Sequence, residues 1–548
     1  MRILSIHITH DASCSVINDG ILEYYGKEER FTGVKKDKHP FLSLKTIKDL
    51  NIGPIDYAIF HTPSNDEHDV FFVYKNYVRK LFNVELENYS NLNHHELHAS
   101  TAFYNSGFNE ALCFIADRDG SLFFVEGRAV ARESETVFHY SKDYDTIKPL
   151  YKSFWLFNDT DNSYLYDILE NYYPQVDIKL HGCFGIVKAY EAATTLINQH
   201  PLENGKTMGL SSYGNDKKMD SLFIDGSPIG NKFYHIDTQY MNKVACFVGQ
   251  KNNITSNINI DNYQYYADYA KTVQLQTQNE VLKLIKTFVD KTGVKNVCIS
   301  GGYGLNVVAN QYYLQNTDDI NFYFDPMSDD SGISIGAAMS KYVSVKNEYP
   351  SKLDTPFFHY HDNNEIISEG NSATIDDIVN ILVDQKSLGL FNGAPEAGPR
   401  ALGHRSILFD PRNIDAKNII NQIKQREWYR PFAGIIIDEL LEEYFDSNGL
   451  KKSEYMTVNF SAKGSTVNEY PGIIHVDNTS RIQTVSKGCY LYTLLSNFYE
   501  QTGCPILLNT SMNLAGQPLV QTKHDAVQML RQSSLDCLYF VNDDKLIT

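Results

Sequence analysis

Apolar and polar positions alternate at the start of the chain and settle into helical spacing later. Residues 2–8 alternate toward the apolar, His10-Asp11-Ala12-Ser13 interrupts them, residues 14–17 resume, Asp19-Gly20 makes a turn and residues 21–25 return. Period-two alternation bounded by turn residues predicts three short strands. Residues 109–134 repeat the plan, with apolar 111–116, the polar turn Asp117-Arg118-Asp119-Gly120-Ser121, apolar 122–125 and Gly127 ahead of another strand. Two such hairpins predict a duplicated nucleotide-binding architecture of the actin type. Residues 265–292 carry Ala270, Val273, Val281, Leu284, Ile285 and Phe288 at helical spacing, and Gly293 follows as a stop. A strand over 294–300 runs into Gly301-Gly302-Tyr303-Gly304 and a helix from 305, an arrangement whose backbone N–H groups can cradle a phosphate or ribose. Asp329-Asp330-Ser331-Gly332 precedes a helix rich in Gly and Ala; an Asp there either caps the helix or ligates a metal.

Pro350, Pro356 and the surrounding Asn, Asp and Glu mark residues 345–372 as a linker, dividing residues 1–350 from 351–548. Beyond it the pattern predicts a helix over 374–383, a strand over 387–391, a loop over 397–412, a helix over 413–423, short strands through 453–496 and a helix within 485–501. A strand over 505–508 then delivers Asn509-Thr510-Ser511-Met512-Asn513. Residues 204–214 read as a glycine-bounded loop around Lys206 and Gly209; the first Gly of a P-loop is missing. Residues 216–260 are polar and read as an insertion or a lid.

Composition narrows the picture. A chain of 548 residues with 42% apolar and 21% charged residues is a folded protein of more than one domain. The net charge of −18 argues against non-specific nucleic-acid binding over the whole surface, leaving Lys35, Lys36 and Lys38, and Lys75, Arg79 and Lys80, as local basic clusters. Eight cysteines without a CxxC pair, a first strand in place of a signal peptide, and no apolar run of about 18 residues predict a cytoplasmic protein with reduced thiols and no membrane span.

Only 13 of the 49 basic residues are Arg, yet Arg400, Arg405, Arg412, Arg426 and Arg430 follow one another after a long stretch with none. A switch from Lys to Arg calls for a planar fork, as for phosphate or carboxylate. Gly398, Gly403 and Pro399 shape the same stretch. An anion site and a set of structural Arg–carboxylate bridges both fit. His94 and His98 lie one helical turn apart, able to share a metal or to be buried with hydrogen-bond partners. A zincin would place Glu directly after the first His, where this chain has His95.

Taken together, these stretches resemble the NodU/CmcH family of O-carbamoyltransferases. The resemblance rests on His10-Asp11-Ala12-Ser13, Glu28-Glu29-Arg30-Phe31, residues 94–98, 205–214 and 301–306, Asp330-Ser331-Gly332, and residues 398–412. It continues through Arg430-Pro431-Phe432, His475-Val476-Asp477, Arg481-Ile482-Gln483-Thr484-Val485 and residues 508–513. Asp117-Arg118-Asp119-Gly120 departs from the usual Asp-Gly turn, Ala394-Pro395 replaces bulkier residues, and 216–260 does not match.

The resemblance implies an α/β protein with an actin-like (ASKHA) domain over 1–350, similar to the transferase of the tRNA threonylcarbamoyladenosine pathway, and a YrdC-like α/β domain over 351–548. It implies that the second makes carbamoyl-adenylate from carbamoyl phosphate and ATP with Mg2+, and that the first transfers carbamoyl to an acceptor hydroxyl at a divalent metal, Fe2+ foremost. On that footing His94, His98, Asp117 and Asp330 are the metal ligands. His10 with Asp11 is the base for the acceptor, and Arg400 and Arg430 are catalytic. His404, Arg405, Arg412, Ser511 and Asn513 hold carbamoyl phosphate and nucleotide, while Lys206, Gly209, Gly301, Gly302 and Asn306 grip the adenylate. The acceptor is a small molecule or hydroxymethylated DNA, the latter using the two basic clusters as a rim. The competing classes are a threonylcarbamoyl-adenylate-dependent tRNA-modifying enzyme and a non-enzymatic actin-like ATP-binding protein.

Overall fold

A computed structural model describes the whole chain except residues 64–67, 90–93, 144–145, 158–161, 198, 216–219, 234–262 and 363. The chain forms two compact units, one of Met1–Thr9, Ser15–Leu22 and Ile52–Lys352, the other of His10–Cys14, Glu23–Asn51 and Leu353–Thr548.

The first strands are β1 (Arg2–His7), β2 (Ser13–Asn18), β3 (Ile21–Lys27), β4 (Tyr57–His61) and β5 (Leu86–Asn88), in sheet order β3-β2-β1-β4-β5. β1, β4 and β5 run parallel. A second sheet takes β6 (Glu110–Ala116), β7 (Leu122–Val125), β8 (Arg128–Ser141), β9 (Thr146–Leu156) and β10 (Asp177–His181). A two-stranded ladder, β11 (Phe223–Ile224) with β12 (Ser227–Pro228), stands apart, and β13 (Asn296–Ser300) and β14 (Asn321–Phe324) complete the second sheet in the order β10-β9-β8-β6-β13-β14. Its middle, β9-β8-β6-β13-β14, repeats the third-second-first-fourth-fifth order of the first sheet, with β6, β13 and β14 again parallel. This duplication is the actin-like architecture that the paired hairpins predicted.

Within the first unit two details differ from the sequence reading, and in the second the supposed loop 397–412 contains a strand, Arg405–Phe409. β7 does not pair with β6; it lies against the outer part of β8, and the long β8 takes the place beside β6. The polar turn causes this, because Gly120 N–H donates to Glu133 O at 2.9 Å and Glu133 N–H donates to Ser121 O at 3.0 Å. Residues 204–214 are not a loop: a helix spans Asn204–Ser211. Its glycines are tolerated because it packs on the helix Tyr263–Thr292 and buries Thr207, whose hydroxyl meets that of Thr194 at 2.7 Å. Of the supposed insertion, 216–219 and 234–260 lie outside the described residues.

The helix His94–Ser106 crosses the helix Ile333–Lys346 at close range. A Cβ on Gly336 would overlap Leu97 O and Thr101 Oγ1, and Thr101 also donates to Gly332 O at 3.0 Å. Gly336→Ala should gain up to about 1 kcal/mol of helix propensity. Overlap with a backbone carbonyl cannot be relieved by a rotamer change, so overpacking of about 1–3 kcal/mol should prevail. Thermal unfolding should show a net loss; unchanged stability would mean that the crossing yields.

The second unit is built on β15 (Leu388–Phe391), β16 (Arg405–Phe409), β17 (Ala433–Ile437), β18 (Phe445–Asp446), β19 (Asn459–Ala462), β20 (Thr479–Val485), β21 (Ile506–Ser511), β22 (Cys537–Phe540) and β23 (Lys545–Ile547). They form one mixed sheet ordered β18-β19-β20-β17-β21-β16-β15-β22-β23. The helix Ile375–Val383 starts on a capping box, Thr374 Oγ1 accepting from Asp377 N–H at 3.2 Å and Asp377 returning the bond at 2.8 Å.

Glu28 belongs to this unit and accepts from Leu42 N–H at 2.7 Å and Ser43 N–H at 2.8 Å, in the first turn of the helix Phe41–Asp49. Burial raises its carboxyl to about 7, against those two bonds. The folded value lies above the ordinary 4.5, so the group's contribution is complete below pH 4.5 and is lost as pH rises through 7. Glu28→Gln should therefore remove a fall in melting temperature over that interval. Parallel curves for the two proteins would contradict the assignment.

No helix among the described residues is long and apolar enough to cross a membrane.

Candidate active site

In the first unit, the carboxyl ends of β1, β4, β6 and β13 meet the start of the helix His94–Ser106 and the turn Asp330–Gly332. His94 opens that helix, its N–H donating to Ser121 Oγ at 3.0 Å, and His98 follows one turn later on the same face. Asp117 comes directly after β6, and Gly302 N–H donates to its Oδ1 at 2.9 Å. Gly301, at φ +84°, brings this loop so close that a Cβ would lie 2.7 Å from Ala116 O.

His94 Nε2 lies 3.4 Å from Asp117 Oδ2 and 3.5 Å from Asp330 Oδ1, and His98 Nε2 lies 3.5 Å from the same Asp330 oxygen. One ligand atom from each of the four residues falls within 4.8 Å of the others, and all four residues are buried. Burial opposes a charged imidazole, but Asp330 and Asp117 outweigh it and raise His94 to about 10. Asp117 is held well below the usual carboxylate range, burial opposing and the two histidines prevailing. All four ring nitrogens of His94 and His98 are buried without a hydrogen-bond partner. Orphaned nitrogens facing two carboxylates are a donor set that fits a divalent metal.

His7 and His61, which the sequence pattern hid inside apolar strands, stand beside this group. Their rings stack at 5.2 Å, and His61 stacks on His94 at 5.6 Å. Burial, then the neighbouring His7 and His94, push His61 well below the ordinary imidazole value.

The remaining residues expected in this unit are placed as follows. Asn306 caps the helix Val307–Gln315, its Oδ1 accepting from Ala309 N–H at 3.1 Å while its Nδ2 donates to Gln274 at 3.0 Å. Lys206 pairs with Glu203 at 2.8 Å, and Gly209 is buried in the same helix.

In the second unit, strand register lines up Arg481 with Ala433 and Ala433 with Asn509, so the end of β21 and its neighbours face one region. Lys424, the buried last residue of the helix Ala416–Lys424, donates to Ser511 Oγ at 3.2 Å, to Asn513 O and Oδ1 at 3.0 Å each, and to Ser511 O. Ser511 Oγ donates to Asn513 Oδ1 at 2.6 Å. Arg426 donates to Thr510 Oγ1 at 3.4 Å, and Arg430 faces Glu427 at 3.5 Å. Burial and then crowding by other cations lower the basicity of three groups: Lys424, facing Arg426, Arg430 and Lys35; Arg426, facing Arg430 and Arg400; and Arg481, facing Arg400, Arg426 and Arg430. Mutually repelling cations with Lys424 bonded to Ser511 and Asn513 are a candidate anion site. Arg426 belongs to the arginine cluster singled out in the sequence; Lys424 and Arg481 had no assigned role, and Lys424 gives no signal among so many lysines.

Three expected members lie elsewhere in their contacts. Arg405 is fully buried, stacked on Phe391 at 3.4 Å and bonded to Asn392 O, His404 O and Gln521 O. Arg412 is forked onto Asp410. His404 stacks on Phe357 at 3.5 Å with Nδ1 on Ala394 O at 2.6 Å. Buried Glu396 shapes this loop, one oxygen accepting from the N–H groups of Leu402 at 2.6 Å and His404 at 3.0 Å. Arg30 donates to Glu396 O and Gly398 O at 3.4 Å. Also in this unit, His10 Nε2 lies 3.2 Å from Asp11, whose other oxygen meets buried Lys27 at 2.7 Å.

Fold and sites define an α/β protein with an actin-like unit carrying a His–Asp cluster that could hold a metal ion and an α/β unit carrying a cluster of cations. The family model for the carbamoyltransferase N-terminus matches residues 65–339 and that for the carbamoyltransferase C-terminus residues 379–545. The chain belongs to the carbamoyltransferase family. The nodulation protein NolO of Bradyrhizobium diazoefficiens is 28% identical over 473 residues, covering 82% of this chain and 77% of that protein. An uncharacterized protein of Synechocystis is 28% identical over 507 residues, covering 82% of this chain and 75% of its own. Among solved structures, full-length HypF in its phosphate- and nucleotide-bound form matches at a TM-score of 0.35 and 11% identity, over 63% of this chain and 56% of that one. His94, His98, Asp117 and Asp330 fall inside the N-terminal match, and the cationic pocket falls inside the C-terminal one.

Proposed function

We propose that the protein is an ATP-dependent O-carbamoyltransferase that works through carbamoyl-adenylate. The observation that carries this reading is the cluster of buried Lys424, bonded to Ser511 and Asn513, with Arg426 beside it on Thr510 and with Arg430, Arg481 and Arg400 close enough for the cations to repel one another. Such a cluster suits the phosphates of carbamoyl phosphate and ATP, with Mg2+ accompanying the nucleotide. There water would release phosphate from carbamoyl phosphate to leave carbamate, and a carbamate oxygen would attack the α-phosphate of ATP, forming carbamoyl-adenylate as pyrophosphate leaves and the arginines take up charge on the departing oxygens. We read this unit as the YrdC-like half.

In the actin-like half the carbamoyl group would pass from AMP to an acceptor hydroxyl, releasing AMP. His94, His98, Asp117 and Asp330 would hold the divalent metal, for which iron is our first choice. When bound, it supplies Lewis acidity toward the transferred group. Gly301 and Gly302 bring their loop against the strand end, where a phosphate can approach the backbone. In the second unit, His10 lies beside the carboxylate of Asp11, which Lys27 holds, and this pair is our candidate base for a hydroxyl proton. For the acceptor we favour a small-molecule hydroxyl over hydroxymethylated DNA. Lys75 and Arg79 share the one carboxylate of Glu85, at 3.6 and 2.5 Å, which offsets one of the three charges in one of the two clusters that a DNA rim would use.

The test is AMP formation from ATP, with and without carbamoyl phosphate, followed by an acceptor screen of small alcohols against hydroxymethylated DNA. AMP that requires carbamoyl phosphate supports the reading. AMP that instead requires threonine and bicarbonate would overturn it in favour of a tRNA-modifying enzyme, and activity confined to the DNA would overturn the choice of acceptor.

A further inference from the structure

Behind the four residues of the metal constellation stand two histidines with no role in the scheme above. His7 is the last residue of β1 and His61 the last of β4, and the parallel register sets them side by side. Both are buried, at 0% and 1% exposure. Their Nδ1 atoms are 3.0 Å apart. Two lone pairs do not face each other at that distance, so one of the two nitrogens carries the proton.

Two observations select which one. His7 Nε2 lies 3.1 Å from Thr9 Oγ1 and 4.0 Å from Asp330 Oδ2. At 4.0 Å the carboxylate is too far to accept a hydrogen bond, but its negative charge favours N–H on the ring nitrogen that faces it, with Thr9 Oγ1 as the near acceptor. His7 Nδ1 is then the acceptor and His61 Nδ1 the donor, which leaves His61 Nε2 as a bare lone pair. Independently, His61 Nε2 is buried without a hydrogen-bond partner. A buried nitrogen without a partner is less costly as a lone pair than as an unsatisfied N–H. The carboxylate at one end and the solitary nitrogen at the other select the same pair of tautomers.

Asp330 thus has its two oxygens on different duties. Oδ1 lies 3.5 Å from His94 and from His98, while Oδ2 is turned toward His7. We propose that His61 and His7 form a positioning relay, His61 Nδ1–H to His7 Nδ1 and His7 Nε2–H toward Asp330 Oδ2, that fixes the Asp330 carboxylate so that Oδ1 is presented to the divalent metal. The proposal rests on reading His94, His98, Asp117 and Asp330 as the metal centre. It makes His7 and His61 positioning residues that need not touch metal, nucleotide or acceptor. Imidazole and carboxylate groups that orient ligands in this way change metal affinity by about 10–100-fold when removed.

The experiment uses the full-length chain and Co2+, whose visible absorption reports on coordination. His7→Leu and His61→Leu should each weaken Co2+ binding about 10–100-fold and alter the absorption band. His61→Asn keeps a donor near the position of Nδ1–H and should restore affinity to within a few-fold of wild type, whereas His7→Asn cannot serve both partners and should not. A merely structural role would lower the melting temperature of these variants and leave affinity and absorption unchanged in the folded fraction. Should the Leu variants fail to fold, long-range 15N–1H spectra of wild-type imidazoles decide. Nε2–H on His7 with Nδ1–H on His61 supports the relay, and the opposite pair overturns it. Failure of the wild-type chain to bind Co2+ would overturn the metal reading and the relay with it. Tight wild-type binding that the Leu variants share would overturn the relay alone.

Discussion

Asp330→Asn is expected to weaken divalent-metal binding by about 10²–10³-fold while leaving the fold in place. Structural sites with four ligands bind with about 10–16 kcal/mol, so one ligand is worth roughly 3–4 kcal/mol, which corresponds to that factor. Asp330 is the member whose loss reaches furthest, because one of its oxygens faces both His94 and His98. Asn preserves size and one acceptor oxygen but removes the charge. Removing the charge also relaxes His94, which Asp330 helps to hold at about 10 against the cost of burial. That value sets the pH dependence. A metal and a proton compete for His94 Nε2, so apparent affinity in the wild type should rise about tenfold per pH unit toward pH 10. In Asp330→Asn that rise should end at a lower pH. Titration with Co2+ between about pH 6 and pH 9 measures both effects. Full occupancy in Asp330→Asn and in His98→Ala would show that the cluster is a buried ion-pair network and not a metal centre.

How much of this was legible in the sequence depended on how local each signal was. Paired hairpins with polar turns carried the duplicated fold, because β alternation and turn chemistry are encoded within a few residues. His94 and His98 were legible because a helix turns a four-residue spacing into a shared face. Asp117, at a strand end, and Asp330, in the turn before a helix, lie far apart in sequence, and only the family resemblance joined them to the histidines. His7 and His61 gave no signal: each is one polar residue in an apolar strand, and only the parallel register of β1 and β4 brings them together. Residues 204–214 misled because glycine lowers helix propensity locally, while packing on the Tyr263–Thr292 helix decides the outcome. The boundary near residue 350 is linear, whereas the compact units take His10–Cys14 and Glu23–Asn51 into the second one, an exchange that no composition shift announces. In the Arg-rich stretch the structure separates the members: Arg412 is bridged to the Asp410 carboxylate and Arg405 is bonded to backbone carbonyls, while Arg400, Arg426 and Arg430 lie near enough to Lys424 or Arg481 to oppose their charge.

That division gives the second large effect. Arg400→Ala, Arg430→Ala and Arg481→Ala are each expected to lower carbamoyl-phosphate-dependent AMP formation about 10²–10³-fold, the cost of removing one preorganised donor from a site of developing negative charge. Arg412→Ala should stay within a few-fold of wild type, because its guanidinium is already committed to Asp410 and lies outside the cationic crowd. Arg405→Ala should behave differently again. It removes a buried ring contact with Phe391 and takes a donor from three carbonyls, of which His404 O keeps the Asn392 N–H, so the loss should be one of folding, several kcal/mol, and not of turnover in the folded fraction. The pocket variants have the opposite signature. Taking one cation from a set that repels itself relieves Lys424 and the remaining arginines, so Arg430→Ala and Arg481→Ala should unfold at the wild-type temperature or slightly above it while losing activity. Activity and melting temperature that fell together in those two variants would mean that the cluster holds the fold, and the anion pocket would have to be sought elsewhere.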